Sequence, residues 1–400
     1  MGTNKKSAGY RSYQYLEENV DYRGFHLARE LGRVPSRRVE VSPDEEARVQ
    51  RLLADHVVVS MHDHPVVSPE DITQIFEQKR RGRDFTGFQG LAASGLDCVF
   101  DNLMDGICTI TSPAGWKWTD VLHDLGMRLC DLAHQDFVIV ADGMRDILKA
   151  HAEGRVALVP TFEAATPIEN EVDRVDILYG FGVRSMGLVY SEANALGSGL
   201  REPQDGGLTD LGRAVVRRMN KLGMQIDAAH CGDRTTLDII EASEHPIVIS
   251  HAGCRALWNT RRMKPNEVLE AMARKGGVLG IEAAPHTTLT DRHPLHSIES
   301  YMEHFEYAVK LLGIDHVGFG PDTLFGDHVG LHHAYAAHLS IGKAHAGKKF
   351  QEVPYVDGLE NPADYPNIVR WLVKHDYKDE DIVKAVGGNA LRVLKQVWIR

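Results

Sequence analysis

Residues 56–64 read His56-Val57-Val58-Val59-Ser60-Met61-His62-Asp63-His64, an unbroken apolar run that ends in two histidines flanking an aspartate. A continuous apolar run of this length marks a parallel strand buried on both faces, not a half-exposed strand of alternating character. The pattern recurs at 96–100 (LDCVF), 156–162 (VALVPTF), 184–190 (RSMGLVY), 223–229 (GMQIDAA), 246–250 (PIVIS), 277–281 (GVLGI) and 316–320 (HVGFG). Most of these runs are separated by helix-like stretches, such as 208–222, with Thr209 placed to cap it, and 265–275. Eight strands alternating with helices across 56–322 predict an α/β fold of the (β/α)8 TIM-barrel type, which occupies about 250 residues. A further run, 137–141 (FVIVA), leaves the strand count open by one.

The rest of the 400-residue chain is arranged around that barrel. Residues 1–50 are polar and lack strand-like runs, which predicts an N-terminal extension or oligomer arm, with a homo-oligomer expected. Within them Ser42-Pro43-Asp44-Glu45-Glu46 reads as a helix start, with a capping serine, proline in the first turn and acids behind it. Residues 51–400 are expected to hold the barrel and a helical C-terminal tail. Hydrophobic residues at 43% and charged residues at 25% exclude wholesale disorder. A net charge of −11 repels phosphate backbones, so no nucleic-acid partner is expected, and the basic run at 79–83 reads as a solvated face. No apolar stretch reaches the ~18 residues of a membrane span and no hydrophobic signal core follows Met1, so the expectation is a cytoplasmic protein without a membrane partner. The five cysteines (Cys98, Cys108, Cys130, Cys231 and Cys254) are odd in number and never form C-x-x-C, which argues against a disulfide framework or zinc knuckle.

Histidine is the unusual residue, with 21 copies, and its positions carry the chemistry. The first run ends at His62 and His64, the third at Glu163, the fifth at His230 and the sixth at His251, while the eighth continues into Asp322. In a barrel the C-terminal strand ends share one mouth, so these six residues are expected to converge there. Neutral imidazoles with a carboxylate suit zinc, and two ions bridged by Glu163 would activate water at neutral pH. His62 and His64, two apart on an extended strand, point to the same side. Any one of these histidines alone reads most simply as a hydrogen-bonded loop residue; four with two acids, all at strand ends, favour metal chemistry with two Zn2+ per chain.

Longer blocks surround these residues: LTDLGRAVVRRMNKLGMQIDAAHCG (208–232), PIVISHAG (246–253), TRRMKPNEVL (260–269), HVGFGPD (316–322) and DEDIVKAVGGNALRVL (379–394). From about residue 50 to the C-terminus the chain resembles the membrane dipeptidase (renal dipeptidase) family, peptidase family M19 of the amidohydrolase superfamily. The resemblance implies a binuclear zinc site with Glu163 bridging, His230 and His251 on one metal and His62 on the other. It also implies Asp322 as the proton-transferring acid and Arg262 as the group that grips a substrate carboxylate. Three departures stand out. The family's His-x-Asp is His62-Asp63-His64 here, which places an imidazole where a carboxylate ligand is usual and leaves the role of Asp63 open. The family's substrate-facing histidine is replaced by Tyr190, still able to donate to an oxyanion. Ala164-Ala165-Thr166 replaces the usual Gly-Gly-His after Glu163.

The expected activity is therefore zinc-dependent, dipeptidase-like cleavage of an amide bond in a small carboxylate-bearing substrate. The alternative is C–C or C–N bond cleavage in a non-peptide carboxylate, favoured by the changes at His64 and Tyr190. An inactive metal-binding scaffold is the second alternative, against which Asp322 and Arg262 count. Glu282, after the seventh run, is expected either to contact substrate or to be solvated. The G-x-x-x-x-G-K match at 342–348 lacks its Ser or Thr, since Lys349 follows, so no phosphate loop is expected. His328, His332, His333, His338 and His345 read as a loop or interface cluster, and Cys231 and Cys254 as small residues near the site.

Overall fold

The computed structural model describes residues 5–104, 117–336 and 350–399. Eight parallel strands lie where the apolar runs predict: β1 (Val59–Val67), β2 (Cys98–Met104), β3 (Val156–Phe162), β4 (Ser185–Gly187), β5 (Gln225–Asp227), β6 (Val248–Ala252), β7 (Val278–Ile281) and β8 (Val317–Phe319). Each pairs with the next in sequence order. Beyond β8, Leu324–Phe325 pairs in parallel with β1, placing Leu324 opposite His64, so the sheet curls back on itself as a (β/α)8 barrel. Every residue of β3 and β6 is buried, which is why these strands read as continuous apolar runs. The run at 137–141 does form a strand, Val138–Val140, but it pairs with the first residues of β3 on the edge that β4 takes further along. It supplements the eight strands rather than entering their order.

Helices cover the barrel because their apolar faces share one buried cluster with the strands: Val215, Met219, Leu269 and Met272 join Met186, Ile226, Ile249 and Leu279. The helix Asp210–Leu222 starts at Thr209, whose side chain accepts from the Gly212 amide, and stops at Gly223 in the left-handed conformation. Pro43–Asp55 is capped by a reciprocal Ser42–Glu45 box. The segment before it lies against the barrel: Tyr13 is buried with its amide donating to Asp131, and Arg33 pairs with Glu360 at 2.6 Å.

The C-terminal tail closes the barrel end opposite the mouth. Asn389 Nδ2 donates to the carbonyls of Ile314 and Val317, at the start of β8. Any Cβ at Gly387 would fall 2.1 Å from the Val57 carbonyl oxygen, so only glycine lets the tail seat beneath β1. Cys108, His338, His345 and the G-x-x-x-x-G-K match fall outside the described residues.

Candidate metal centre

Two strands carry a bulge at their metal-candidate histidine. Between Ser60 and Asp63, β1 has one residue more than β2 opposite, and β6 likewise exceeds β7 between Ile249 and Ala252. A bulge re-aims the side chain it carries, and here those side chains are His62 and His251. The two rings lie 3.5 Å apart between centroids and are fully buried. His230 after β5 completes the group, its Nε2 2.9 Å from that of His251.

All three imidazoles converge on one carboxylate. Glu163 Oε1 stands 3.4 Å from His62 Nε2, 3.2 Å from His230 Nε2 and 3.3 Å from His251 Nε2. Close backbone approach makes this possible, since a Cβ at Gly187 would fall 1.9 Å from the Glu163 carbonyl oxygen. On the other side, Asp322 Oδ1 lies 3.0 Å from His64 Nε2 and 3.2 Å from His62 Nε2. Among the groups here that could hold a metal ion are His62–His64–Glu163–Asp322 and Glu163–His230–His251, which share Glu163. The structure thus brings together all six residues singled out at the strand ends.

The electrostatics suit metal ligation. Burial lowers the pKa of His62, and holds His230 and His251 well below the usual histidine range, so the rings are neutral. Burial would raise Asp322, but its pairing with His62 and its hydrogen bonds to His62 and His64 hold the carboxylate well below its ordinary range. Asp322 also sits at φ +59°, anchored by its amide donating to the His62 carbonyl at 3.0 Å; such a conformation costs on the order of 1–3 kcal/mol and is more tolerable for Asp than for most residues.

Sequence reading missed the residues that orient these candidate side chains. The Ser250 hydroxyl donates its only proton to Asp227 Oδ2, so it must accept from His251 Nδ1 at 2.8 Å. That fixes the tautomer and turns the Nε2 lone pair toward Glu163, as a metal requires. Asn102 on β2 abuts His62 Nδ1 and is held by Thr161 Oγ1 at 2.7 Å. Lys264, buried and lowered to about 8 by desolvation, donates to the carbonyl of Cys231, next to His230. Asp63 is turned away from the rings: Ser60 Oγ donates to it, as do the amide and hydroxyl of Thr323 at 2.8 Å, so it fastens the loop that carries Asp322. Ser250→Ala should cost about 10–100-fold in metal affinity, read by competition with a chromogenic chelator; an unchanged affinity would remove the tautomer argument.

The substrate-side candidates are arranged differently from expectation. Arg262 forms an ion pair with Glu282, both buried, and donates to the His251 carbonyl at 3.1 Å. Glu282 is therefore not solvated but enclosed at the site, its carboxylate grouped with His251 and Asp322. Burial raises its pKa to about 7 against the opposing pull of Arg262. Tyr190 stacks on His230 with centroids 4.1 Å apart. Cys231 and Cys254 are core residues; burial pushes the Cys231 thiol up to about 12.

The sequence pattern of the membrane dipeptidase family (Peptidase family M19) matches residues 46–337 and 327–398. This chain belongs to that family. Dipeptidase tcpJ of Claviceps purpurea is 27% identical over 277 residues, 68% of this chain and 58% of tcpJ. Dipeptidase aclJ of Aspergillus oryzae is 27% identical over 288 residues, 70% of this chain and 62% of aclJ. The chain thus spans less than two thirds of the length of these curated relatives. Among solved structures, an amidohydrolase from Pseudomonas aeruginosa superposes with a TM-score of 0.72 at 24% identity, covering 88% of this chain and 99% of that one. A metallo peptidase from Rhodobacter sphaeroides, liganded with a phosphinate mimic of the dipeptide L-Ala-D-Ala, gives 0.66 at 18% identity over 86% and 99%. These likenesses establish the barrel fold. Among the described residues no helix is long and apolar enough to cross a membrane.

Proposed function

We propose that this chain is a dipeptidase-like hydrolase in which His62 and His64 would hold one zinc ion and His230 and His251 a second, with Glu163 serving both. The observation that carries this reading is the focus of three neutral imidazoles from three strands on the single oxygen Glu163 Oε1. When bound, a pair of divalent cations supplies Lewis-acid polarisation of a carbonyl and a hydrolytic nucleophile at neutral pH. Asp322, an ionised acceptor at the mouth, takes a proton on a carboxylate oxygen and returns it to the leaving amine. The Tyr190 hydroxyl donates to the developing oxyanion, and stacking on His230 limits the ring's freedom. Arg262 receives the substrate carboxylate through parallel hydrogen bonds. Support for dipeptides comes from the family and from the dipeptide mimic bound to the Rhodobacter relative. A hydrolysis screen over dipeptides and N-acyl amino acids, with metal measured on the same sample, tests this. Turnover that tracks zinc content is expected; zinc-loaded protein inert toward every amide would contradict it.

One observation favours the alternative of a non-peptide carboxylate and C–C or C–N cleavage. Glu282 already occupies Arg262, so the clamp must exchange one carboxylate for another. If it does, a free acid should be a better substrate than its methyl ester, and Arg262→Ala should raise KM for the acid by about 10–100-fold, the worth of a charged hydrogen bond. Equal turnover of acid and ester by the unmodified protein would remove the carboxylate clamp and shift the reading away from dipeptides.

A further inference from the structure

Three separate segments bring His286, His333 and Glu352 together in a group that shares no residue with the metal centre. His286 follows β7, His333 lies on the helix His328–Ala336 after β8, and Glu352 lies on the segment leading into the C-terminal helices. The cluster therefore lies toward the mouth of the barrel.

His286 is only 7% exposed, yet neither ring nitrogen has a hydrogen-bond partner among the described residues. Native proteins rarely leave a buried polar ring in that condition. Burial also lowers its pKa, so the ring is neutral and offers a lone pair. The carboxylate oxygen Glu352 Oε1 stands 3.6 Å from His286 Nε2 and also contacts His333 Nε2. A tetrahedral ion with bonds of about 2.0–2.1 Å holds its ligand atoms about 3.4 Å apart, close to the His286–Glu352 spacing, while the tighter His333–Glu352 pair has to part to admit it. His333 and Glu352 are both exposed, so water has access for the fourth position. The spacing of histidines along the helix concealed this, because the other two ligands come from elsewhere in the chain.

We propose that His286, His333 and Glu352 form a third, separate site for a borderline first-row divalent cation such as Zn2+. Two imidazoles and one carboxylate match the preferences of that class of ion, and the open fourth position makes the site exchangeable. An ion there fastens the loop after β7 to the helix after β8 and to the segment that begins at Phe350, whose ring stacks on His286 at 4.6 Å.

The test is a Zn2+ titration of the purified protein, read by equilibrium dialysis and by the thermal midpoint. The unmodified protein should take up one ion per chain beyond those it holds at low zinc, with a rise in midpoint. His333→Ala and Glu352→Gln, on different segments and both at exposed positions, should each lose that ion and the rise. Dipeptide hydrolysis at low zinc should be unchanged in both. Identical uptake and identical midpoints in the unmodified protein and both variants would overturn the proposal, leaving an ordinary exposed His333–Glu352 ion pair. The readout is independent of the main centre: failure of the binuclear reading would appear as missing tight ions, not as a missing difference between variants.

Discussion

Glu163→Gln is expected to abolish both tight metal positions together and to reduce hydrolysis by at least about 10⁴-fold, the upper end of what a general acid or base contributes. The carboxamide keeps the shape of the side chain but not its charge. Glu163 Oε1 lies within 3.4 Å of His62, His230 and His251, so both candidate groups lose their shared member. A neutral group there leaves only neutral imidazoles to hold two dications. Elemental analysis beside the rate assay checks this. Retention of two ions per chain by the variant would show that Glu163 is not the bridge.

Asp322→Asn should reduce turnover by about 10²–10⁴-fold while preserving fold and metal content. Asparagine tolerates the φ of +59° held by this residue and keeps an oxygen beside His62 and His64. What it loses is the capacity to accept a proton. The geometry makes the measurement informative, because Asp322 Oδ1 lies within the His62–His64–Glu163 group. Metal lost along with activity would make Asp322 chiefly a ligand and reassign the proton transfer.

Much of this architecture was legible in the sequence because parallel strands buried on both faces leave continuous apolar runs. The barrel then forces their C-terminal ends to one mouth, so histidines and acids at those ends had to meet. What was not legible depends on tertiary placement. Ser250 and Asp227 look like ordinary strand residues, and only the fold shows that they set the tautomer of His251. Asp63 sits between two histidines, yet its hydrogen bonds run to Ser60 and Thr323, a partner 260 positions away. The run 137–141 had strand composition and became a strand, but composition does not say which edge it joins. Arg262 and Glu282 were each readable as substrate contacts; their mutual pairing required knowing that two strand-end loops meet.

Stepwise chelation reads whether hydrolysis depends on metal held around a carboxylate shared between two histidine groups. Metal per chain and dipeptide turnover are measured on the same samples as a chelator is titrated in and zinc is then restored. Activity is expected to fall in step with removal of two tightly held ions and to return when zinc is added. Metal-free protein that cleaves substrate at the untreated rate would contradict this dependence.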